Sequence, residues 1–479
     1  MHGKKGGSVM KIIVKNGKIV SPSETYEADL CIENGVISCI GTDLERKFAS
    51  DEVQVIDAAG KYVLPGGVDV HTHMDLDVGF SRAVDDFYDG TVAAACGGTT
   101  SIVDHMAFGP AGCNLHHQLN EYHRLADDKA VIDYGFHGTV QHVNDEILDE
   151  LESMVQDGVP SVKVYLTYGF KINDDGVLEV LKRMKELNGI TAFHCENHDV
   201  VEHLKKVYSE SGKTAPSYHA KSRPNIAEAE AVRRVLYLAK LAGDAPVYIV
   251  HLSCKESLEA VEEARKAGQK NIFVETCTQY LTMTEEKYKE EDGLKYIMSP
   301  PLRTDADREA LWKGLENGEI QIVATDHCPF NYGIEKQMGK DDFTKCPNGA
   351  PGVEERMILL FSEGVMKNRI SLNRFVEVAC TNPAKVYGLY PKKGILEPGA
   401  DADLIILDPE REQTLTHANM HGAVDYTVYE GVPVKGYIDL VMQRGNVIAK
   451  ENRFTGARGA GEFIHRKTRD LKDESSCLR

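Results

Sequence analysis

The chain of 479 residues lacks a long apolar stretch: none reaches the length of about 18 residues that a membrane-spanning helix requires. Basic residues are also in the minority, since 55 lysines and arginines stand against 74 aspartates and glutamates, which leaves a net charge of −19. Binding to nucleic acids and to anionic membranes depends on basic patches. We therefore expect neither a nucleic acid nor a membrane among the partners of this protein.

The eleven cysteines include no C-x-x-C pair, the spacing of many redox and zinc-binding motifs. Cys31, Cys96 and Cys277 lie inside apolar runs, where a free thiol behaves as a small apolar side chain. Residues 1–9 contain two lysines but no apolar segment of the kind that a secretory signal has. Together these features predict a cytoplasmic protein with reduced cysteines.

Both ends of the chain are rich in strand patterns. Residues 11–20 and 29–40 each resemble two strands around an Asn-Gly turn, which is a strong hairpin signal. Residues 402–407, 436–442 and 444–448 give the same kind of pattern near the C-terminus. Because neither end is large enough to form a stable unit alone, we expect them to fold together as a small β-sandwich.

Between these ends, short apolar runs alternate with helical patterns such as those at 227–242 and 257–267. A run of four to eight apolar residues is typical of a buried strand. We count eight candidate strands, at 66–72, 99–105, 132–140, 161–167, 190–196, 246–252, 272–278 and 320–326. Eight such strand-helix repeats predict an α/β fold of the (β/α)8 TIM barrel type.

The predicted organisation has four parts. Residues 1–62 form the N-terminal part of the β-sandwich, 63–392 the barrel, 393–455 the C-terminal part of the sandwich, and 456–479 a tail. The tail is either disordered or an arm that contacts a neighbouring subunit. Residues 331–352 are polar, contain four glycines and follow the eighth strand, so we expect a long loop that covers an active site.

Several of the candidate strands end in residues that can bind a divalent metal. His71 and His73 are two residues apart on one strand, so both imidazoles point to the same side and can chelate Zn²⁺, Mn²⁺ or Co²⁺. His194, His251 and Asp326 end three other runs. Taken singly, each histidine could be a core residue and the aspartate a helix cap. Their joint occurrence at strand ends that a barrel brings together favours a metal site.

Lys163 ends a further apolar run, where a charged ammonium would be costly to bury. Burial lowers the pKa of a lysine and frees the neutral amine, which can capture carbon dioxide as a carbamate. A carbamate could bridge two divalent ions, whose four positive charges it would offset together with Asp326 and a hydroxide. The alternative is a lysine that reaches solvent or pairs with an acid.

Seven stretches of the chain resemble the cyclic amidohydrolases, a group that includes hydantoinases, dihydropyrimidinases, allantoinases and dihydroorotases. The resemblance is strongest to the D-hydantoinases, and among them to the phenylhydantoinase type. It spans residues 10–465 in family order. The stretches are PGGVDVHTH at 65–73, VKVYLTY at 162–168, HCEN at 194–197, VHLS at 250–253, SPPLR at 299–303, TDHCP at 325–329 and PNGAPG at 347–352.

The resemblance implies a binuclear metal site on an N6-carboxylated Lys163 and a homotetramer. Zn²⁺ is the first candidate for both metals, with Mn²⁺ and Co²⁺ as alternatives. Carried over by position, one metal would be held by His71, His73, Lys163 and Asp326, and the other by Lys163, His194 and His251.

The same resemblance implies roles toward the substrate. Tyr168 lies where the family places its oxyanion donor, and Ser299 and Asn348 match positions that contact the ring amide through backbone groups. A metal-bridging hydroxide would attack the ring carbonyl, and Asp326 would carry the proton to the leaving nitrogen. The expected reaction is hydrolysis of 5-substituted hydantoins to N-carbamoyl amino acids, with D-selectivity and a preference for aryl substituents.

Apolar residues after three strands support the aryl preference, because loops at these strand ends line barrel active sites. They are Met74, Val78, Phe80, Met106, Phe108 and Phe170. The alternative enzymes are dihydropyrimidinase and allantoinase, and a non-catalytic dihydropyrimidinase-like interaction protein is a third possibility. Residues 74–82 differ from the short Pro-containing loop of most dihydropyrimidinases. His105 and His137 also end strands, and we expect them in supporting or core roles.

Overall fold

The computed structural model describes residues 11–49 and 52–468. The segment that bears on a secretory signal, residues 1–9, and the end of the tail, residues 469–479, lie outside the described residues. Within the described ranges no helix is both long enough and apolar enough to cross a membrane.

Eight parallel strands form the central sheet, in the order in which they occur along the chain. Nearly all of their side chains are buried, because helices cover the outer face and side chains fill the interior. The prediction of a (β/α)8 barrel is confirmed. The strands are Gly67–Thr72, Thr99–His105, Asp133–Val140, Ser161–Tyr165, Ile190–His194, Val247–Ile249, Ile272–Cys277 and Ile322–Ala324.

Backbone hydrogen bonds beyond the last strand close the barrel. The amide of Asp326 donates to the carbonyl of His71, and the amide of His73 donates to the carbonyl of His327, each at 2.9 Å. These bonds place the end of the eighth strand directly beside the end of the first. Residues that are more than 250 positions apart in sequence therefore meet at one rim.

Helices surround the barrel and fill its connections. The helix Asn225–Leu241 is buried along one side by Val232, Val235, Leu236 and Ala239, as its periodicity predicts. The α-helices are Leu44–Lys47, Asp89–Cys96, Leu115–Ala126, Asp145–Gln156, Asp174–Glu186, His198–Glu210, His219–Ser222, Asn225–Leu241, Lys255–Lys266, Thr278–Thr282, Asp305–Glu316, Arg356–Leu359, Leu372–Val376 and Asn382–Val386. Shorter 3₁₀ turns are Pro216–Tyr218, Glu285–Lys289, Gly293–Tyr296, Lys336–Gly339, Phe343–Lys345 and His417–Asn419, and π-helical turns are Leu360–Val365 and Glu377–Thr381.

Two further sheets bring the chain ends together, as predicted for the β-sandwich. One has the order Val36–Gly41, Asp29–Glu33, Lys11–Lys15 and Val53–Asp57. The other has the order Arg453–Phe454, Asn446–Lys450, Pro433–Gln443, Leu404–Thr414, Tyr62–Pro65, Lys18–Val20 and Thr25–Glu27. A common apolar cluster joins the two sheets and includes Ile12, Ile32, Leu404 and Met442. The domain boundaries at 62, 392 and 455 stay a prediction.

The two Asn-Gly turns have different outcomes. Asn34 and Gly35 both have positive φ, and the strands on either side pair as an antiparallel hairpin. Asn16 has a φ of 62°, but Gly17 does not have a positive φ, so the two-residue turn that needs both is absent. The flanking strands belong to different sheets. The hairpin expected at 11–20 is therefore wrong.

The described part of the tail lies on its own barrel. The amide of Ile464 donates to the carbonyl of Tyr134 at 2.7 Å, and the buried Arg466 donates to Ser161 Oγ at 2.9 Å. Up to residue 468 the tail is thus ordered by contacts within the chain, and disorder was the wrong expectation for this part. Contact between the tail and a neighbouring subunit stays a prediction.

Candidate metal centre and substrate cavity

Three predicted ligands converge where the first and eighth strands meet. The Nε2 atoms of His71 and His73 each lie 3.1 Å from Oδ1 of Asp326, and the possible ligand atoms of the three residues are within 4.8 Å of one another. His71 Nε2 and His73 Nδ1 are buried and have no hydrogen-bond partner among the described residues. Two imidazoles and one carboxylate, whose possible ligand atoms lie this close together, are suited to bind a divalent transition metal.

The other predicted histidines form a second group beside the first. Nδ1 of His194 lies 3.0 Å from Nε2 of His251, and the ring of His251 is stacked 5.3 Å from that of His71. Both residues are buried at the same rim of the barrel. The two groups therefore face one shared space, which is the arrangement that two metal ions need.

Lys163 lies at this rim with only 1% of its surface exposed. Its Nζ is 5.4 Å from the centre of the Tyr165 ring, and it makes no ion pair with any described carboxylate. Burial lowers the pKa of Lys163 to about 8, although Asp326 and Glu275 act in the opposite direction. Lys163 therefore neither reaches solvent nor pairs with an acid, so the alternative role considered from the sequence is wrong.

Backbone strain is concentrated at three of the predicted site residues. His251, Asp326 and Tyr168 have φ values of 37°, 55° and 71°, in the left-handed region that side chains other than glycine rarely adopt. Each lies two or three residues beyond the end of its strand. Such strain is typical of functional sites, because the surrounding structure must hold the backbone in place.

A buried glutamate that we did not single out from the sequence orients the first group. Glu275 Oε1 is 2.7 Å from His71 Nδ1 and accepts from the amide of His251 at 2.9 Å, while Tyr248 Oη donates to Oε2 at 2.7 Å. The carboxylate fixes Nε2 of His71 toward Asp326, as outer carboxylates do for metal-bound histidines. An acidic residue inside the apolar run 272–277 was the available signal.

Glu196 has the same role toward the second group. Its Oε2 atom is 2.7 Å from His194 Nε2 and accepts from Arg223 Nη1 at 2.5 Å. Burial alone would raise the pKa of Glu196, but Arg223 and His194 outweigh it and hold the pKa below its ordinary range. Nδ1 of His194 is thereby turned toward His251. Arg223 is a second residue whose contribution the sequence did not reveal.

Electrostatics keep Asp326 ionised. Burial would raise the pKa of Asp326, but His71, His73 and His251 outweigh burial and hold it well below the ordinary value. Burial lowers the pKa of His73 to about 4, whereas Glu275 and Asp326 overcome burial and raise that of His71 to about 8. A carboxylate that is ionised at neutral pH can serve as a ligand and as a base.

His105 and His137 support the site, as expected. The His105 ring lies 4.4 Å from that of His71 and is stacked 4.2 Å from that of His137. His137 is held by Ser161 Oγ at 2.7 Å and by the carbonyl of Val70 at 3.0 Å. Neither ring nitrogen of His105 has a hydrogen-bond partner in the described part of the chain.

All nine predicted site residues line one cavity of about 740 Å³. Tyr168 lies beside the second histidine group, with its ring 5.2 Å from that of His194. Burial raises the pKa of Tyr168 to about 12, so its hydroxyl remains a proton donor at neutral pH. No described residue makes a hydrogen bond to the backbone N–H or carbonyl of Ser299 or Asn348, and these groups are available to a ligand.

The predicted apolar wall is largely present. Val78, Phe80, Met106, Phe108 and Phe170 line the cavity, and the Phe108 ring lies 4.8 Å from that of Phe170 and 5.0 Å from that of Tyr165. Met74 was wrongly included, because it is fully buried and packs in the core beneath the loop. The predicted covering loop also reaches the cavity, through Thr344, Cys346, Asn348 and Gly349.

The sequence matches the model of the Amidohydrolase family over residues 62–448. The chain belongs to the amidohydrolase family. Members of this family generally depend on a binuclear metal centre, and the ligand groups described above fit this chemistry. The amidohydrolase match agrees with the predicted resemblance and identifies the protein as a cyclic amidohydrolase enzyme.

Similar proteins extend over nearly the whole chain. A D-phenylhydantoinase of Escherichia coli O1:K1 is 49% identical over 458 residues, which cover 96% of this chain and 98% of that protein. The structure of a dihydropyrimidinase from Brevibacillus agri has a TM-score of 0.93 at 43% identity and covers 96% and 99% of the two chains. A D-hydantoinase from a Bacillus species has a TM-score of 0.92 at 42% identity, with coverage of 95% and 99%.

Proposed function

We propose that this amidohydrolase opens 5-substituted hydantoins to N-carbamoyl amino acids, with selectivity for the D-enantiomer and for aryl substituents. The observation that carries this proposal is the shared cavity: two groups of metal ligands, a tyrosine donor, free backbone groups and an aromatic wall all face the same space. The names of the similar D-phenylhydantoinase and D-hydantoinase support the choice of ring and of enantiomer.

Two divalent ions, with Zn²⁺ as the first candidate and Mn²⁺ or Co²⁺ as alternatives, are proposed to occupy the site. His71, His73, Asp326 and a carboxylated Lys163 would hold one, and the same Lys163 with His194 and His251 would hold the other. When bound, the metals supply an acidified water, so that hydroxide is available at neutral pH. The convergence of His71 Nε2 and His73 Nε2 on Oδ1 of Asp326, each at 3.1 Å, supports this assignment.

The surroundings of Lys163 support its proposed carboxylation. The buried amine, with a pKa of about 8, is partly neutral at physiological pH and has no acidic partner within the described residues. A neutral amine adds to carbon dioxide through a new N–C bond and releases one proton, which leaves an anionic carbamate. A carbamate would add a second negative charge among the metal ligands, because the first group of ligands contains one carboxylate, that of Asp326.

Asp326 and Tyr168 would act on the reacting atoms. Asp326 is ionised and can accept the proton of the attacking water, then deliver it to the ring nitrogen as the C–N bond breaks. Tyr168 keeps its proton at neutral pH and can donate a hydrogen bond to the oxygen on which negative charge develops. The backbone groups of Ser299 and Asn348 would orient the ring amide.

The aryl preference rests on the wall formed by Phe108, Phe170 and Val78. Complete burial of a phenyl substituent there is worth about 1.5–3 kcal/mol. Dihydropyrimidinase is the second candidate, because a dihydropyrimidinase has nearly the same fold similarity as the D-hydantoinase. A non-catalytic role is disfavoured by the complete set of metal ligands at one rim.

A homotetramer and a cytoplasmic location are further parts of the proposal. The helix Asn225–Leu241 exposes Ile226, Tyr237 and Leu241 at 66%, 68% and 70% of their surfaces, which supports association with another copy of the chain. Sedimentation or light scattering of the purified protein would determine the number of subunits. A monomer at micromolar concentration would contradict this part.

A substrate panel tests the proposed function. Catalytic efficiency should be highest for D-phenylhydantoin and lower for L-phenylhydantoin, unsubstituted hydantoin, dihydrouracil, allantoin and dihydroorotate. Faster turnover of dihydrouracil or of the bare hydantoin ring would contradict the aromatic wall as a specificity element. Metal analysis of the same preparation should find two ions per chain, and a metal-free, inactive protein would favour the non-catalytic alternative.

A further inference from the structure

Lys336 is fully buried, and among the described residues its hydrogen-bond partners are three backbone carbonyls. Its Nζ donates to the carbonyls of Ile297, Pro347 and Gly349 at 2.7, 2.9 and 2.6 Å. These three bonds use all three N–H groups of an ammonium. No described carboxylate forms an ion pair with this lysine, although burial without a counter-charge is costly. A buried ammonium that is this costly and binds three carbonyls indicates that it fixes the positions of their backbone segments.

The three carbonyls flank the two residues that are proposed to bind the ring amide. Pro347 and Gly349 are the neighbours of Asn348, and Ile297 precedes Ser299 by two residues. The amide of Gly349 also donates to the carbonyl of Ile297 at 3.0 Å, so the two segments are joined directly as well. Lys336 does not itself line the cavity. It lies behind the segments and ties them to each other.

Other side chains occupy the remaining carbonyls around Ser299. His219 Nε2 donates to the carbonyl of Met298 at 2.7 Å, and Tyr280 Oη donates to that of Pro300 at 2.7 Å. Within the described residues, the N–H and carbonyl of Ser299 and of Asn348 have no hydrogen-bond partner, and in these two segments the N–H of Met298 is likewise unpartnered. Ser299 and Asn348 both line the cavity, whereas the neighbouring carbonyls are engaged by Lys336, His219 and Tyr280.

We propose that Lys336 is a positioning residue for substrate recognition, which sets the separation and orientation of the Ser299 and Asn348 backbone groups. This inference rests on the proposed function, since it assumes that these groups contact a cyclic amide. A single cationic centre suits the task because it can hold three carbonyls from two segments around one point. A neutral apolar side chain of similar length would fill the space without holding them.

The test is Lys336→Met, with Lys185→Met as a matched control. Lys185 also donates to backbone carbonyls, those of Ala242 and Gly243, but at the opposite end of the barrel. In Lys336→Met the KM for phenylhydantoin should rise by about tenfold or more while kcat changes by less than about threefold. The inhibition constant of N-carbamoyl-D-phenylglycine should rise in parallel, and bound metal should remain at the level of the unmodified enzyme. Lys185→Met should leave all four quantities unchanged.

A milder variant, Lys336→Gln, covers the case in which the methionine variant does not fold. Its amide retains two donors, so it should give a KM between those of the unmodified enzyme and Lys336→Met. An unchanged KM in a folded variant would overturn the inference, as would a loss of activity that follows loss of metal. Failure of both variants to fold would also overturn it, because Lys336 would then be a structural residue of the loop.

The KM test of Lys336 and the substrate panel can fail independently of each other. If the unmodified enzyme prefers dihydrouracil to phenylhydantoin, the proposed substrate is wrong, and the KM comparison is then made with dihydrouracil. Both rings present the same kind of cyclic amide to the Ser299 and Asn348 backbone. A tenfold rise in that KM would still support the positioning role of Lys336.

Discussion

Two fully buried lysines of this barrel have opposite surroundings. Lys393 lies between the barrel and the seven-stranded sheet, and its Nζ is within 2.6 to 2.9 Å of carboxylate oxygens of Asp133, Asp401 and Asp403. Lys163 lies at the rim of the barrel and has no carboxylate partner among the described residues. Burial alone would lower the pKa of both, but the three aspartates raise that of Lys393, whereas that of Lys163 falls to about 8.

The difference separates a structural role from a chemical one. Lys393 is kept charged and joins two parts of the fold, while Lys163 is left able to lose its proton and react. The polar groups around Lys163 also differ from the ion-paired cluster around Lys393. Beside Lys163, nitrogen atoms of His71, His73 and His105 are buried without hydrogen-bond partners. Unpaired buried groups cost stability, so their concentration at one rim indicates that a ligand completes them.

The same substitution at both lysines tests their different roles most directly, and Lys163→Ala should have the larger effect. We expect this variant to fold but to lose most of its bound metal and its activity, because the proposed bridging ligand would be missing. Small carboxylic acids such as acetate or propionate should restore part of both. Metal analysis and turnover measurements check this, and two tightly bound metals with normal turnover in Lys163→Ala would refute a carboxylated lysine.

Asp326→Asn should affect turnover more than binding. The amide can still occupy the site, but it cannot accept and deliver a proton, so kcat should fall by roughly 10²–10⁴-fold. The comparison of kcat with KM for phenylhydantoin measures this effect. A decrease of less than about tenfold would show that another group moves the proton.

Lys393→Ala should lower stability and leave the chemistry intact. Loss of one partner from a buried ionic cluster costs about 3–5 kcal/mol. Because the pKa of Lys393 is raised on folding, its contribution is fully present below the ordinary lysine value of 10.5 and is lost as the pH rises through the raised value. Denaturation curves should therefore differ most from those of the unmodified protein at pH 7–9, and kcat of the folded variant should match the parent.

Glu275→Gln should weaken metal binding without removing any ligand. The neutral amide would orient His71 less strongly, and loss of such an outer carboxylate typically costs about 10–100-fold in metal affinity or activity. Competition with a chelator measures the affinity. An unchanged affinity would mean that the contact between His71 and Glu275 serves packing alone.

Phe108→Ala should have the smallest effect and should be confined to substrate choice. Removal of the ring opens the apolar wall, so the preference for phenylhydantoin over unsubstituted hydantoin should fall by about tenfold, while turnover of unsubstituted hydantoin stays the same. If both substrates were affected equally, Phe108 would support the loop rather than contact the substituent.

Much of the fold could be predicted because the apolar pattern of each segment agrees with the strand or helix that the barrel contains at that position. Each of the eight apolar runs became a barrel strand, and each predicted metal ligand lies in such a strand or within two residues of its end. The first Asn-Gly pair shows the limit of this reasoning. Its local preference favours a hairpin, but pairing of Lys11–Lys15 with Val53–Asp57 and of Lys18–Val20 with Tyr62–Pro65 separates the two strands.

The barrel and the types of residue near its strand ends could be predicted from the sequence, because apolar periodicity and strand order are local properties of the chain. The pairing of charged groups depends on the folded structure, because the partners come from segments that are distant in sequence. Glu275 is 204 residues from His71, and Asp133 is 260 residues from Lys393. The local sequence singled out Lys163, which lies in an apolar run, but it did not reveal the partners of Lys336 and Lys393. The acceptors that surround each one come from distant segments, and they make one available for reaction, one a tie between loops and one a structural ion pair.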